Sequence, residues 1–276
     1  MCNILKITVG IDIGSTSTKI IALDEGRKII AKGKTGTEER LIAVYGSLGA
    51  LLHSSGIPLK DVSKIALTGA GASWIDGRIY GIETVKAGEA DSVGLGALTL
   101  SGQKRGMIMN IGTGTVFVYA DESGATHAGG SGLGGATLLG LSRKMFNEGD
   151  ASKISDLALS GNLKNIDLMM GDVYNSDFSF LPPDASAANF GNMKSDASDG
   201  DLALGLLTTI YQVLGTMAVF AAGGKDSKLI IVTGALAEFK QCRDILPRVG
   251  GLYGVEFMFP ENPLYATALG AAMSIL

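Results

Sequence analysis

Twice in this chain an apolar, strand-like run ends in glycine and hydroxyl residues and turns at once into a second run. The first is Val9-Gly10-Ile11-Asp12-Ile13-Gly14-Ser15-Thr16-Ser17-Thr18-Lys19, continuing through residues 20–23; the second is Asn110-Ile111-Gly112-Thr113-Gly114-Thr115, continuing through residues 116–119. Glycine adopts turn geometries closed to other residues and lets backbone N–H groups approach an anion. One such hairpin is equally a glycine-rich turn with a surface salt bridge. Two, one in each half of the chain, point to two similar lobes that grip a phosphate chain between them, and so to ATP.

Asp12 and Lys19 add charge to that geometry. A carboxylate at the end of a buried strand suits a hydrated magnesium ion, which prefers oxygen ligands and keeps several waters, so Asp12 is the candidate metal residue, acting through water. Lys19 offsets phosphate charge. The candidate nucleotide contacts are thus Asp12, Gly14, Ser15, Thr16, Lys19, Gly112, Thr113, Gly114 and Thr115.

Composition narrows the class. With 276 residues, 46% hydrophobic and 18% charged, the chain can bury a large core in one or two domains. The net charge of −4, without any block of Lys or Arg, argues against nucleic acid as a partner. Two cysteines, Cys2 and Cys242, lack the spacing of metal ligands or of a disulfide framework and read as reduced thiols. The longest apolar stretch, residues 202–222, contains Thr208, Thr209, Gln212 and two glycines. It reads as a buried core helix rather than a membrane span, and the cytoplasm is the expected location, with no membrane partner.

Hydrophobic periodicity gives strands at 7–13, 18–23 and 28–34, a helix over 39–53, a strand at 64–68 and a helix over 89–100. The pattern restarts at Gly106 with strands at 107–111 and 116–120, a glycine-rich turn at 129–135 entering a helix, a strand at 229–233 and a last helix from Leu264. This repetition divides the chain into lobes 1–103 and 104–276, joined by packed helices that hinge. The small-residue run 266–272 is expected to pack closely against the strand 229–233, and Trp74 is expected in the core. The strand 229–233 runs into the small-residue turn Gly234-Ala235, where an adenosine lies flat against backbone; Gly234 is the candidate there.

To the two hairpins the chain adds Leu67-Thr68-Gly69-Ala70-Gly71-Ala72, Gly129-Gly130-Ser131-Gly132-Leu133-Gly134-Gly135, Asn165-Ile166-Asp167-Leu168 followed by Gly171-Asp172-Val173-Tyr174, and Ala187-Ala188-Asn189-Phe190-Gly191. Over nearly its whole length the sequence resembles the actin, hexokinase and Hsp70 type of ATPase, and within that group the type II pantothenate kinases. The resemblance implies an α/β fold of two duplicated ribonuclease H-like lobes with nucleotide in the interlobe cleft. It implies ATP- and magnesium-dependent phosphorylation of the terminal hydroxyl of pantothenate to 4′-phosphopantothenate, the first step of coenzyme A biosynthesis. It also implies a homodimer, for which residues 202–222 are the candidate helix.

Phosphoryl transfer to an alcohol needs a carboxylate to orient the hydroxyl or accept its proton. Glu83, Glu89 and Asp91 stand close together, and Glu89-Ala90-Asp91 before Gly94-Leu95-Gly96 resembles the family's Glu-x-Asp pattern. Glu89 is therefore the candidate catalytic residue, with Glu83 next; the competing reading of Glu89 is an acid at a helix N-terminus, interacting with the dipole. Residues 129–135 read as a loop whose following helix offers free N–H groups, to phosphate at Gly134 and to the acceptor at Gly129, Gly130 and Ser131. Where the family carries an Arg before this Gly-Gly, the chain has His127, the candidate acceptor residue in its place. Two relatives by fold compete with this reading: an amino-sugar kinase, and an activator-type ATPase, which needs cysteines placed for a shared iron–sulfur cluster.

Overall fold

The computed structural model describes residues 6–36, 39–174, 181–225 and 227–276, so Cys2 lies outside the described residues. The first half runs β1 (Ile7–Ile13), β2 (Ser17–Leu23), β3 (Ile29–Gly36), α1 (Arg40–Ser55), β4 (Val62–Thr68), β5 (Glu83–Lys86) and α2 (Glu89–Ser101). The second runs β6 (Gly106–Ile111), β7 (Thr115–Asp121), β8 (Gly124–Ser131), α3 (Gly135–Phe146), α4 (Ala151–Ala158), β9 (Leu168–Met169), α5 (Met170–Val173) and β10 (Ser186–Ala188). It ends with α6 (Asp199–Gly223), β11 (Leu229–Thr233), α7 (Lys240–Tyr253), β12 (Glu256–Met258) and α8 (Ala266–Met273).

Five strands of each half form a sheet of the same topology, while β9 and β10 pair in a separate two-stranded sheet. The first sheet has the order β3-β2-β1-β4-β5 and the second, written in the corresponding direction, β8-β7-β6-β11-β12. In both, the first three strands are antiparallel, and the opening strand then pairs in parallel with a strand that returns after a helical connection. The central strand β1 is buried along almost its whole length, because helices cover both faces. The edge strand β3 alternates half-buried and exposed positions.

α1 packs on one face of the first sheet, where Val44, Leu48 and Leu51 meet Val9, Ile11 and Ile65. On the second sheet the corresponding layer is larger: α6 lies over β6 and β11, and α7 packs against α6 and β12, in a core that includes Leu207, Tyr211, Leu214 and Leu246. α6 is long and apolar enough to cross a bilayer, but most of its apolar window is buried within the protein. Ser198 and Asp201 cap its start: Asp201 accepts from the backbone N–H of Ser198 at 2.9 Å, from that of Asn162, and from Asn165 Nδ2 at 3.1 Å.

On the remaining faces the halves exchange helices. α2, from the first half, seats Val93 and Ala97 on Ile108, Val118 and Ile231 of the second sheet. α8, from the end of the chain, seats Ala268, Leu269 and Ala272 on Ile21 and Leu23 of the first. The small-residue run 266–272 therefore covers the opposite lobe rather than strand 229–233, contrary to the sequence expectation. Its small side chains serve a close crossing of α8 over α2. There, a Cβ on Gly96 would lie 1.8 Å from the carbonyl oxygen of Ala266, and one on Gly270 1.8 Å from that of Ser92.

Trp74 is also corrected: it is 71% exposed. It ends a 3-10 turn over Ala70–Trp74 whose small residues Gly71 and Ala72 take the buried positions, which turns the indole outward under the Arg40 guanidinium, 5.2 Å from the ring centroid.

Candidate active site

The two hairpins face each other across one cleft of about 320 Å³ between the sheets. Its lining includes Asp12, Gly14, Ser15 and Lys19 from the first hairpin, Asn110 and residues 112–116 from the second, Glu89 from the start of α2, Ser131 from the end of β8, and Gly234 after β11. The hairpins touch directly, since Ser15 Oγ donates to Thr113 Oγ1 at 2.9 Å and Thr16 Oγ1 stands 3.2 Å from the same oxygen. Among the described residues, the backbone N–H groups of Ser15, Thr16, Thr113 and Gly114 have no hydrogen-bond acceptor, as a phosphate cradle requires.

Asp12 and Lys19 are direct partners across β1 and β2, with Nζ 3.4 Å from Oδ2, and both side chains are largely buried. Burial pushes the Asp12 carboxyl above its ordinary value, while the charge and hydrogen bond of Lys19 pull the other way. Asp12 is held from beneath by Gly69: this residue has φ +85°, and a Cβ there would sit 2.5 Å from Oδ1. Its counterpart Gly234 has φ +92°, and a Cβ would fall 2.4 Å from the carbonyl oxygen of Ile111. Both positions require glycine for the turn and for the close approach of the neighbouring strand end.

Glu89 is the first residue of α2 and reaches the cleft from the helix that the first half lends to the second lobe. Glu83 is exposed at the start of the edge strand β5, beside Lys64, and does not line the cleft.

The segment 129–135 differs from expectation. It is strand β8 as far as Ser131, and only Gly132, Leu133 and Gly134 form the turn into α3. The first two N–H groups of α3 are taken up within the protein, since Gly135 donates to the carbonyl of Gly112 and Ala136 to that of Thr113, both at 2.9 Å. This helix start braces the second hairpin instead. Gly134 backs that hairpin rather than lining the cleft, and Thr115 Oγ1 donates to the Leu133 carbonyl at 2.9 Å.

His127 is exposed on β8, opposite Val118, and neither it nor Gly129 or Gly130 lines the cleft. At a strand rise of about 3.3 Å per residue it stands about 13 Å from Ser131. The sequence reading gave no role to Gly69, Ala70, Asn110, Leu264 or Thr267, all of which line the cleft. A signal for the first of these was present: Thr-Gly-Ala occurs at 68–70 and again at 233–235, each time at the end of the strand that returns beside a hairpin.

Two ribonuclease H-like lobes with paired glycine-rich hairpins facing each other across a cleft define a two-lobed fold of the actin, hexokinase and Hsp70 ATPase type. Solved structures agree. The activator of 2-hydroxyisocaproyl-CoA dehydratase from Clostridium difficile with bound ADPNP is similar with a TM-score of 0.70 at 17% identity, covering 97% of this chain and 93% of that one. A ROK family glucokinase from Streptomyces griseus in complex with glucose and AMPPNP is similar with a TM-score of 0.62 at 16% identity, over 97% and 98%. Within this class, the Fumble family model matches residues 106–246, and the chain belongs to the Fumble family. It is 27% identical over 273 residues to the type II pantothenate kinase of Staphylococcus epidermidis, covering 95% of this chain and 98% of the relative. It is also 27% identical over 244 residues to that of Bacillus thuringiensis, covering 84% and 83%.

Proposed function

We propose that this protein is a type II pantothenate kinase, a cytoplasmic homodimer that transfers the γ-phosphoryl group of ATP to the terminal hydroxyl of pantothenate. The observation that carries the reading is the single cleft in which both hairpins, the Asp12–Lys19 pair and Glu89 converge, in a chain whose near full-length relatives bear that name. ATP lies with its phosphates on the two hairpins and its adenosine at Gly234. The lobes 1–103 and 104–276 close on it about the crossed helices α2 and α8.

Magnesium fits this site in hydrated form. Among the described residues no cluster of three metal-ligating side chains exists, so Asp12, phosphate oxygens and waters would share the ion, as its preference for retained water allows. The ion supplies countercharge to the phosphates. Lys19, now paired with Asp12, offers the protein's own cation at the same place, and Glu89 accepts the proton of the acceptor hydroxyl. His127, off the cleft on β8, serves the acceptor's distal end in this reading.

The dimer surface is the outer stripe of α6, where Val213 and Phe220 are exposed, continued by Leu252 and Tyr253 of α7; the rings of Phe220 and Tyr253 meet edge to face at 6.2 Å.

The activator-type alternative draws no support from Cys242, which sits on α7, fully buried in the core shared with α6, with its thiol pKa pushed up by burial. An acceptor screen tests the proposal: ADP release is measured with pantothenate, pantetheine, N-acetylglucosamine and water. Pantothenate-dependent release with formation of phosphopantothenate is expected. Faster turnover with the amino sugar, or with water alone, would overturn it.

A further inference from the structure

The two lobes are copies in topology but not in charge. The next-to-last residue of β1 is Asp12, paired across β2 with Lys19 and across β4 with Thr68. The next-to-last residue of β6 is Asn110, paired in the same register across β7 with Val116 and across β11 with Thr233. Asp12, Lys19, Asn110 and Val116 all line the cleft. Of these strand positions, the first wall therefore carries both charges and the second carries none.

The supporting hydroxyls differ as well. Thr68 Oγ1 is buried without a hydrogen-bond partner among the described residues, whereas Thr233 Oγ1 donates to Asn110 Oδ1 at 3.0 Å. Thr233 thus engages the amide by its oxygen. Asn110 Nδ2 makes no hydrogen bond with a described residue, and is the group this side chain has left to offer a ligand.

We propose that Asn110 directs the phosphoryl group to an alcohol rather than to water, an inference that rests on the phosphotransferase reading above. Its Nδ2 donates to a phosphate oxygen. As an amide it has no proton-accepting capacity near neutral pH, so a water against this wall finds no base. A carboxylate at the same place, as the first lobe has in Asp12, would take a proton from water as the water oxygen bonds to the γ-phosphorus. The bond from phosphorus to the bridging oxygen would break, and ADP would leave with the electron pair. With Asn110 that route is closed. The carboxylates lining the cleft are Asp12, engaged by Lys19, and Glu89, so proton acceptance falls to Glu89.

The test compares the parent with Asn110→Asp and Thr233→Val at saturating ATP and magnesium. ADP release is followed with and without pantothenate, and binding of a non-hydrolysable ATP analogue is measured by calorimetry. Asn110→Asp is expected to raise acceptor-independent hydrolysis about ten-fold or more relative to phosphopantothenate formation, the lower range of what a positioned base contributes. Thr233→Val, which frees the amide, should weaken analogue binding several-fold without raising hydrolysis. If Asn110→Asp binds the analogue yet hydrolyses ATP no faster than the parent, the proposal is overturned. Unchanged analogue affinity in Thr233→Val would overturn it as well, even if Asn110→Asp fails to fold. A failure of the kinase reading is distinct: the parent itself would then show no pantothenate-dependent release.

Discussion

Asp12 is where competing electrostatic effects meet. Burial raises its pKa above the ordinary 3.8, with Lys19 acting in the opposite direction. Ionisation in the folded protein is therefore harder than in the unfolded chain. The stability this contributes is complete below 3.8 and is lost as pH rises through the raised value. Thermal unfolding of the nucleotide-free parent and of Asp12→Asn across pH 3.5–8 should show the parent losing stability relative to the variant as pH rises, then running parallel once Asp12 is ionised; parallel curves throughout would contradict the account. In turnover the same variant should lose most magnesium-dependent activity, because the amide keeps the size and removes the charge facing the ion. At Glu89, the isosteric Glu89→Gln should lower turnover by roughly 10² to 10⁴ with ATP-analogue affinity unchanged. A few-fold effect there, with Glu83→Gln abolishing turnover, would move the base to a residue that stands outside the cleft in this structure.

Among the elements, α2 and α8 hold the lobes together at a crossing with no room for a side chain on Gly96 or Gly270. Gly96→Ala must push one helix off the other. The expected cost is about 1–3 kcal/mol, as for other overpacked sites, read as a lower urea midpoint. The same change at Gly140, where a Cβ would meet nothing within 4 Å, should not destabilise the protein by this route and serves as the control.

The start of α6 gives a second element-level expectation. Burial opposes the charge on Asp201, but donors from Ser198, Asn162 and Asn165 outweigh it and bring its pKa down to about 2. Its contribution is present above the ordinary 3.8 and fades as pH falls towards 2. Asp201→Ala should therefore destabilise the protein by about 2 kcal/mol near neutral pH, a gap that narrows in acid. A pH-independent gap in chemical denaturation would assign the loss to packing alone.

Over the whole molecule, the exchange of α2 and α8 means that neither sheet has both faces covered by its own half of the chain. Closing or opening the cleft must then be accommodated at the crossing of these two helices. The exposed stripe of α6 and α7 lies on the other side of the second sheet. Phe220→Asp should convert a dimer to monomer in sedimentation velocity, since a carboxylate cannot be buried there without a partner; an unchanged sedimentation coefficient at micromolar concentration would place the interface elsewhere.

What the sequence determined by itself was whatever local pattern controls. Glycines and hydroxyls after apolar runs mark the two hairpins, and the restart at Gly106 marks the duplicated sheet, because hydrophobic period and turn chemistry act over a few residues. That Glu89 lines the cleft was legible from its neighbours Asp91, Gly94 and Gly96, although the reason for Gly96 was not. The remainder depended on contacts between residues far apart in the chain. That 266–272 covers the first sheet, that Trp74 faces outward, and that the start of α3 donates its N–H groups to Gly112 and Thr113 are outcomes of which surfaces meet. The pairing of Asn110 with Thr233, 123 positions apart, is of the same kind. No local pattern encodes it, since it exists only once β11 has returned to lie beside β6.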